Sequence, residues 1–311
     1  DSKEFKTIFA NLFNNIDLRK IEFSSTNNFS FNINKKLKFN NLKVESIIHL
    51  NQLIFNEKNF KLKSYIPSFI EEIKLEEHKI VIKYNKNKFD INGNGNILIE
   101  DKTDNLSYQI IKDNINFSFD SKINLKNNSL LIDFLDYEKK EGSNCLVLIK
   151  GVFNKNNQLR FDLINLKEKN NEILINGLDL NKSFKILNID NLIINYKNNK
   201  KILNKIILKK NNLNFIIEGE SFDASKIINN IMDSNNGSFS IFENLNSKIN
   251  ISIKKTYIDD DNYINSLNGY INFNNNKIDD LKLESAFPNS RKINLSIKTN
   301  NNSETVTRLS T

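Results

Sequence analysis

Residues 248–253, Lys248-Ile-Asn-Ile-Ser-Ile253, alternate polar and apolar side chains without a break. Successive side chains on a strand point to opposite faces, so this period of two sends Ile249, Ile251 and Ile253 to one side and Asn250 and Ser252 to the other. The same reading applies to Lys292-Ile-Asn-Leu-Ser-Ile297, to Asn114-Ile-Asn-Phe-Ser-Phe119 and to Ile16-Asp-Leu-Arg19. Comparable runs follow one another from 16–23 to 213–218, and again from 238–242 to 304–309, mostly 8–12 residues apart. The expected fold is mainly β: a long, curved antiparallel sheet, an open groove or an elongated taco-like sheet, with two short helices.

The first helix is read over 3–15, where Phe5, Ile8, Phe9, Leu12 and Phe13 recur at helical spacing. The second follows Ser221-Phe-Asp-Ala-Ser-Lys226; Asp223 or Ser221 caps it, Ile227, Ile228, Ile231 and Met232 form its apolar stripe, and Asn235-Asn-Gly237 closes it. This break divides the chain into residues 1–220, a long β region with the N-terminal helix, and residues 221–311, a helix with a second β region. The strands share form but no strict sequence period, which excludes a leucine-rich or propeller repeat.

At 311 residues the chain exceeds one ordinary compact core. Two prolines and eight glycines are too few to turn so many strands. Asparagine, roughly a fifth of the residues, is expected to take over the corners, because it tolerates the left-handed conformation. Clusters such as Asn92-Gly-Asn-Gly-Asn96 and Lys126-Asn-Asn-Ser129 read as such turns. The net charge is +8, yet only Arg19, Arg160, Arg291 and Arg308 among the 45 basic residues are arginine. Nucleic-acid recognition favours arginine and a basic block interleaved with aromatics, and neither is present. No nucleic-acid partner is expected.

No constellation for chemistry emerges. His49 and His78 stand apart and belong to no metal-spacing motif. Cys145 is the only cysteine and sits in an apolar run, as a small core residue does. Gly93-Asn-Gly95 lacks the third glycine of a dinucleotide fingerprint and the helix that must follow it, so it reads as a hairpin turn. Asp259-Asp-Asp-Asn262 lacks a ligand at Tyr263 and a following glycine, and reads as a solvated loop rather than a calcium site. No catalytic residue, metal ligand or cofactor is expected. No run reaches the roughly 20 apolar residues of a membrane-spanning helix. The chain opens on Asp1 and closes in a polar phrase, which reads as a piece of a longer protein.

The 23 phenylalanines and absent tryptophan suit a dry core or a hydrocarbon-lined trough. Two short helices are a small cover for some twenty strands. Either two sheets close on each other, or an apolar face stays open for a partner or lipid.

Ser221-Phe-Asp-Ala-Ser-Lys226 with its helix, then Ser247-Lys-Ile-Asn-Ile-Ser-Ile-Lys254, Ile264-Asn-Ser-Leu-Asn-Gly-Tyr-Ile-Asn-Phe273 and Ile278-Asp-Asp-Leu-Lys-Leu-Glu284, resembles the C-terminal portion of AsmA-like proteins. The likeness covers about 220–311; over 1–219 only the strand rhythm matches. It implies a periplasmic β-sheet whose groove carries phospholipid between inner and outer membrane, anchored to the inner membrane by a segment outside this sequence. Its implied partners are phospholipid acyl chains and the surfaces or proteins of the two membranes, and it brings no catalytic residues. Candidate groove positions come from alternation: Ile115, Phe117, Phe119, Ile249, Ile251, Ile253, Ile271, Phe273, Leu281, Leu283, Ile293, Leu295 and Ile297. The competing expectation is a structural or adhesive β-sandwich or solenoid segment with a closed core and no ligand. An enzyme with its active site in another domain is the third.

Overall fold

The computed structural model describes residues 16–37, 39–57, 72–99, 102–113, 117–153, 159–233, 244–299 and 305–311. The helix expected over 3–15 and groove candidate Ile115 lie outside them. The described chain is mainly antiparallel β-structure, and it divides into two compact units: residues 1–132 with 138–155, and residues 133–137 with 156–311.

The first unit is a meander of β1 (Ile16–Ile33), β2 (Phe39–Glu57), β3 (Glu72–Asn85), β4 (Lys88–Ile99), β5 (Lys102–Lys112) and β6 (Phe117–Leu125). The chain then passes through β7 (Leu130–Ile132), a 3-10 turn (Asp133–Leu135) and β8 (Tyr137–Lys139) before β9 (Cys145–Phe153) pairs with β6. From β1 to β6 each strand pairs antiparallel with the next, and β7 and β8 form a separate two-stranded sheet. Runs read as separate strands over 16–23 and 29–33 join into β1, and those over 37–49 and 51–55 join into β2. The polar stretch Ser24–Asn28 of β1 pairs in continuous register with β2, and the register shifts fall at Leu18/Lys20, Glu22/Phe23 and Ser30/Asn32.

Asparagine does take corners. Lys86-Asn87 joins β3 to β4 with φ of 48° and 64°. Both central residues of a type I′ hairpin need positive φ, and this pair supplies it. Gly93 and Gly95, however, are not a turn: they lie within β4. A Cβ at Gly93 would sit 2.3 Å from the Tyr108 ring, and one at Gly95 would sit 2.3 Å from the His78 ring. Glycine is used there because a ring from a neighbouring strand occupies the side-chain space.

The second unit runs through β10 (Leu159–Glu168), β11 (Asn171–Leu180), β12 (Ile186–Lys197), β13 (Leu203–Asn211) and β14 (Asn214–Asp223), then α1 (Ser225–Asp233), then β15 (Ser247–Tyr257), β16 (Tyr263–Asn274), β17 (Lys277–Ala286), β18 (Lys292–Thr299) and β19 (Thr305–Ser310). Neighbours in sequence are neighbours in the sheet. All pair antiparallel except β14 and β15, which are parallel. The sequence expectation was wholly antiparallel. The chain leaves β14 at Asp223 and β15 begins beside Phe215, at the end where β14 started, so the two strands run in the same direction. Among the described residues α1 is the one α-helix, inside the second unit. Asp223 caps it as expected: its Oδ1 accepts the Ser225 backbone N–H at 3.1 Å and the Ser225 hydroxyl at 2.6 Å. Asn198 donates to the other carboxylate oxygen at 2.8 Å, so the buried Asp223 is satisfied on both sides.

Among the described residues, Leu178, Ile189, Phe215, Leu245 and Phe273 form a buried cluster in the second unit. Gly177, with φ 63°, lies between Ile175 and Leu178, which are three residues apart yet serve the same cluster. A Cβ at Gly177 would sit 1.9 Å from the Asp190 carboxylate, so glycine is used there. The first unit has a smaller cluster, with Ile73 and Ile99 buried against Phe55, Leu75, Ile97 and Leu130.

Candidate functional site: a ladder of apolar side chains

Residues directly opposite each other in a sheet share a face. In the second unit one row can be followed through every strand: Ile164–Ile175–Leu192–Leu208–Ile217–Ile251–Gly269–Leu283–Leu295–Leu309. Apart from Gly269, every member is Ile or Leu. Flanking rows are also apolar: Phe215–Ile249–Ile271–Leu281–Ile297 on one side, and Leu166–Ile173–Ile194–Ile206–Gly219–Ile253–Leu267 on the other.

The candidates from alternation therefore assemble. Ile249, Ile271, Leu281 and Ile297 share one row, and Ile251, Leu283 and Leu295 the next. Ile253 stands opposite Leu267, Phe273 opposite Ile278, and Ile293 opposite Ser285. Phe117 and Phe119 belong to the first unit, opposite Phe153 and Gly151, and share no row with the others. Sequence reasoning missed the continuation through β10–β14: Ile164, Ile175, Leu192, Leu208 and Ile217. Their alternation was visible, but which strands pair, and the parallel step from Ile217 to Ile251, was not.

The opposite face of β14–β19 is polar. Glu218, Ser252, Asn268, Glu284, Asn294 and Ser310 stand in one row. Ser252 donates to Asn268 at 2.8 Å, Tyr270 donates to Asp280 at 2.8 Å, and Lys282 pairs with Glu284 at 3.0 Å. The Lys248 ammonium lies 4.0 Å from the Tyr270 ring centroid. Within the apolar rows burial is graded. Ile253, Phe273 and Leu281 are buried, Ile251, Leu283 and Leu295 are half-buried, and Leu309 at the edge is 64% exposed.

A second feature of this unit is polar and partly enclosed. Tyr137 donates to Glu168 at 2.9 Å and packs edge-on against Tyr196, with centroids 5.1 Å apart, while Tyr196 donates to the carbonyl of Leu135. Asp133 of the same 3-10 turn pairs with Lys226 of α1 at 3.3 Å. Burial pushes the Asp136 carboxyl above the usual carboxylate range, against the pull of Lys200 and Lys226. Desolvation also raises the Tyr196 phenol. These contacts tie the turn to the sheet and to the helix. They include no nucleophile–base pair, and among the described residues no group of three or more His, Cys, Asp or Glu is placed to hold a metal ion. The Asp259–Asn262 loop is closed on itself: Asp259 accepts the backbone N–H groups of Asp261 and Asn262 at 2.9 and 2.7 Å, with all four residues exposed.

Among the described residues, no helix is long and apolar enough to cross a membrane. Comparison with protein families, with curated proteins and with solved structures finds no match to this chain.

Proposed function

We propose that the second unit's apolar ladder is a hydrocarbon-binding face, and that the chain is a non-enzymatic, AsmA-like segment of a periplasmic protein that shelters phospholipid acyl chains in passage between two membranes. The observation that carries this reading is the aliphatic row from Ile164 to Leu309, interrupted only at Gly269, with polar rows on the reverse of β14–β19. An acyl chain lying across the strands meets Ile or Leu at nearly every step, and each sheltered CH2 contributes about 0.8 kcal/mol. Such a row has no directional chemistry, so it accepts many chain lengths. Selectivity and direction of transfer then belong to the membrane ends of the path.

The competing reading is a closed structural or adhesive core. It draws on the burial of Phe215, Phe273 and Leu281, each under a tenth exposed. The two are separated by native mass spectrometry with lipid extraction on the chain expressed with envelope targeting. Phospholipid is expected to co-purify, and to be lost when Ile251 and Leu295 are both changed to Asp while the β circular-dichroism signal persists. These two positions are half-buried, so the substitution tests the face more than the core. A folded, lipid-free parent protein sinks the proposal and leaves the closed core.

A further inference from the structure

We propose that His78 is an acid-sensitive latch on the β3–β4 pairing of the first unit: neutral, it locks a bulge in β3, and protonated, it releases it. The inference stands apart from the lipid reading. The histidine is 1% exposed and faces Leu50 across the sheet. Its ring fills the space that a side chain at Gly95 would take, and its Nε2 lies 2.9 Å from the carbonyl oxygen of Asn96. That contact requires a proton on Nε2, so neutral His78 carries its lone pair on Nδ1. Nδ1 is buried and has no hydrogen-bond partner among the described residues.

The site also coincides with backbone irregularity. The β3–β4 register shifts between Glu76 and Lys79, and Glu77 sits there at φ 54°. A glutamate in the left-handed region is strained, and the interactions around it must hold it in place. His78 is one such interaction; the other is the Asn96 amide, which donates to Glu77 at 3.1 Å.

The surroundings offer little compensation for a charge on the ring. From β2 come Leu50 and Gln52, and the Gln52 amide donates to Glu76 at 3.0 Å. From β4 come Gly95 and Asn96, the latter engaged with Glu77. From β5 comes the Tyr108 ring, 5.9 Å between centroids, its phenol pushed up to about 12 by burial and so neutral throughout the physiological range. Asp104, also on β5, accepts the backbone N–H groups of Lys126 and Asn127 at 2.7 and 2.9 Å. Lys79 registers with His49 and Asn94 on the other face. A proton on Nδ1 would be a buried donor without an acceptor. Desolvation accordingly holds the imidazole below its usual range, partly offset by the Asn96 carbonyl. The unfolded or locally opened chain then binds the proton better than the closed one. Closing is fully favoured above about pH 6.5 and weakens as pH falls below it, by at most tenfold per pH unit for one proton.

Amide hydrogen exchange on the full chain between pH 7.5 and 5.0, corrected for intrinsic exchange, tests this. Protection of β3 and β4 amides around Glu77 is expected to fall up to tenfold per unit below pH 6.5, with β15–β18 unaffected. His78→Gln keeps an amide donor, cannot titrate, and is expected to abolish the dependence. An identical pH profile in parent and variant, or a flat profile in the parent, overturns the proposal. Should the variant fail to fold, ring-nitrogen NMR of the parent decides: His78 is expected to keep the Nε2–H tautomer and to titrate below the ordinary imidazole value of about 6.5, and titration at or above it refutes the latch.

Discussion

The apolar rows of the two units differ in continuity. In the second unit the central row crosses ten strands, interrupted in side-chain character only by Gly269. Among the described residues of the first unit the apolar rows are broken. Phe29–Val44–Tyr84–Phe89 runs into Lys112 before reaching Phe117 and Phe153, and Asn27 and Ser46 precede Ile82–Ile91–Ile110–Phe119. The first unit also mixes rings with glycines, Tyr108 over Gly93 and His78 over Gly95, where the second stacks branched aliphatics. Aliphatic side chains of equal size tile a face evenly, whereas a ring needs a vacancy across the strand. The first unit's β1 also leaves Phe23, Phe29 and Ile33 more than half exposed. A uniform ladder suits a path along which a flexible chain slides, and a keyed surface suits fixed contacts.

The comparison can be broken at its strongest point first. Leu281→Ala removes a side chain that is 4% exposed in the second unit, and is expected to cost about 2–5 kcal/mol. Exchange protection should fall across β15–β18 and hold in β2–β5; a loss spread equally over both units would contradict the division of the cores. Next in size is Gly95→Ala in the first unit. Its Cβ would meet the His78 ring at 2.3 Å and the His78 Cα at 2.7 Å, which predicts a loss of about 1–3 kcal/mol by denaturant titration. A neutral outcome there would mean that the ring is not keyed into the glycine.

Smaller effects sharpen the picture. The folded state raises the Asp136 carboxyl, so it holds that proton more tightly than the unfolded chain does. The stability this gives is present at low pH and lost as pH rises through the folded value. Asp136→Asn removes the loss and also suits the residue's φ of 50°, so a gain of about 1 kcal/mol is expected at pH 7. The gap to the parent should close on acidification towards pH 4; a constant gap would mean that the charge is not the cause. Lys112→Leu would join Phe89 to Phe117 in the first unit's broken row, for a gain of about 0.2–1 kcal/mol in denaturant midpoint. No gain would show that the break at Lys112 does not limit stability.

Much of this was legible locally. The alternation in Lys248–Ile253 and Lys292–Ile297 gives both strand and face, because the side-chain period of a strand is a property of its own backbone. The capped stripe at Asp223–Ile228 gives the helix for the same kind of reason. Gly93 and Gly95 were misread because a glycine looks the same in a turn and beneath a ring; only the partner strand tells them apart. The role of His78 was hidden likewise, since a lone histidine in an alternating run carries no sign of what covers it.

The sequence by itself determined the strand-rich character, the two-faced alternation, the helix that ends β14 and the reliance on asparagine at corners such as Asn275-Asn276, where φ is 49° and 65°. Each depends on residues a few positions apart. Only the tertiary structure decided that Ile164 and Leu309 end one common row, that β14 and β15 run parallel, and that Glu77 is strained beside a buried imidazole. Those are matters of register between segments far apart in sequence. A shift of one residue in any pairing would reverse the faces while leaving the local pattern unchanged.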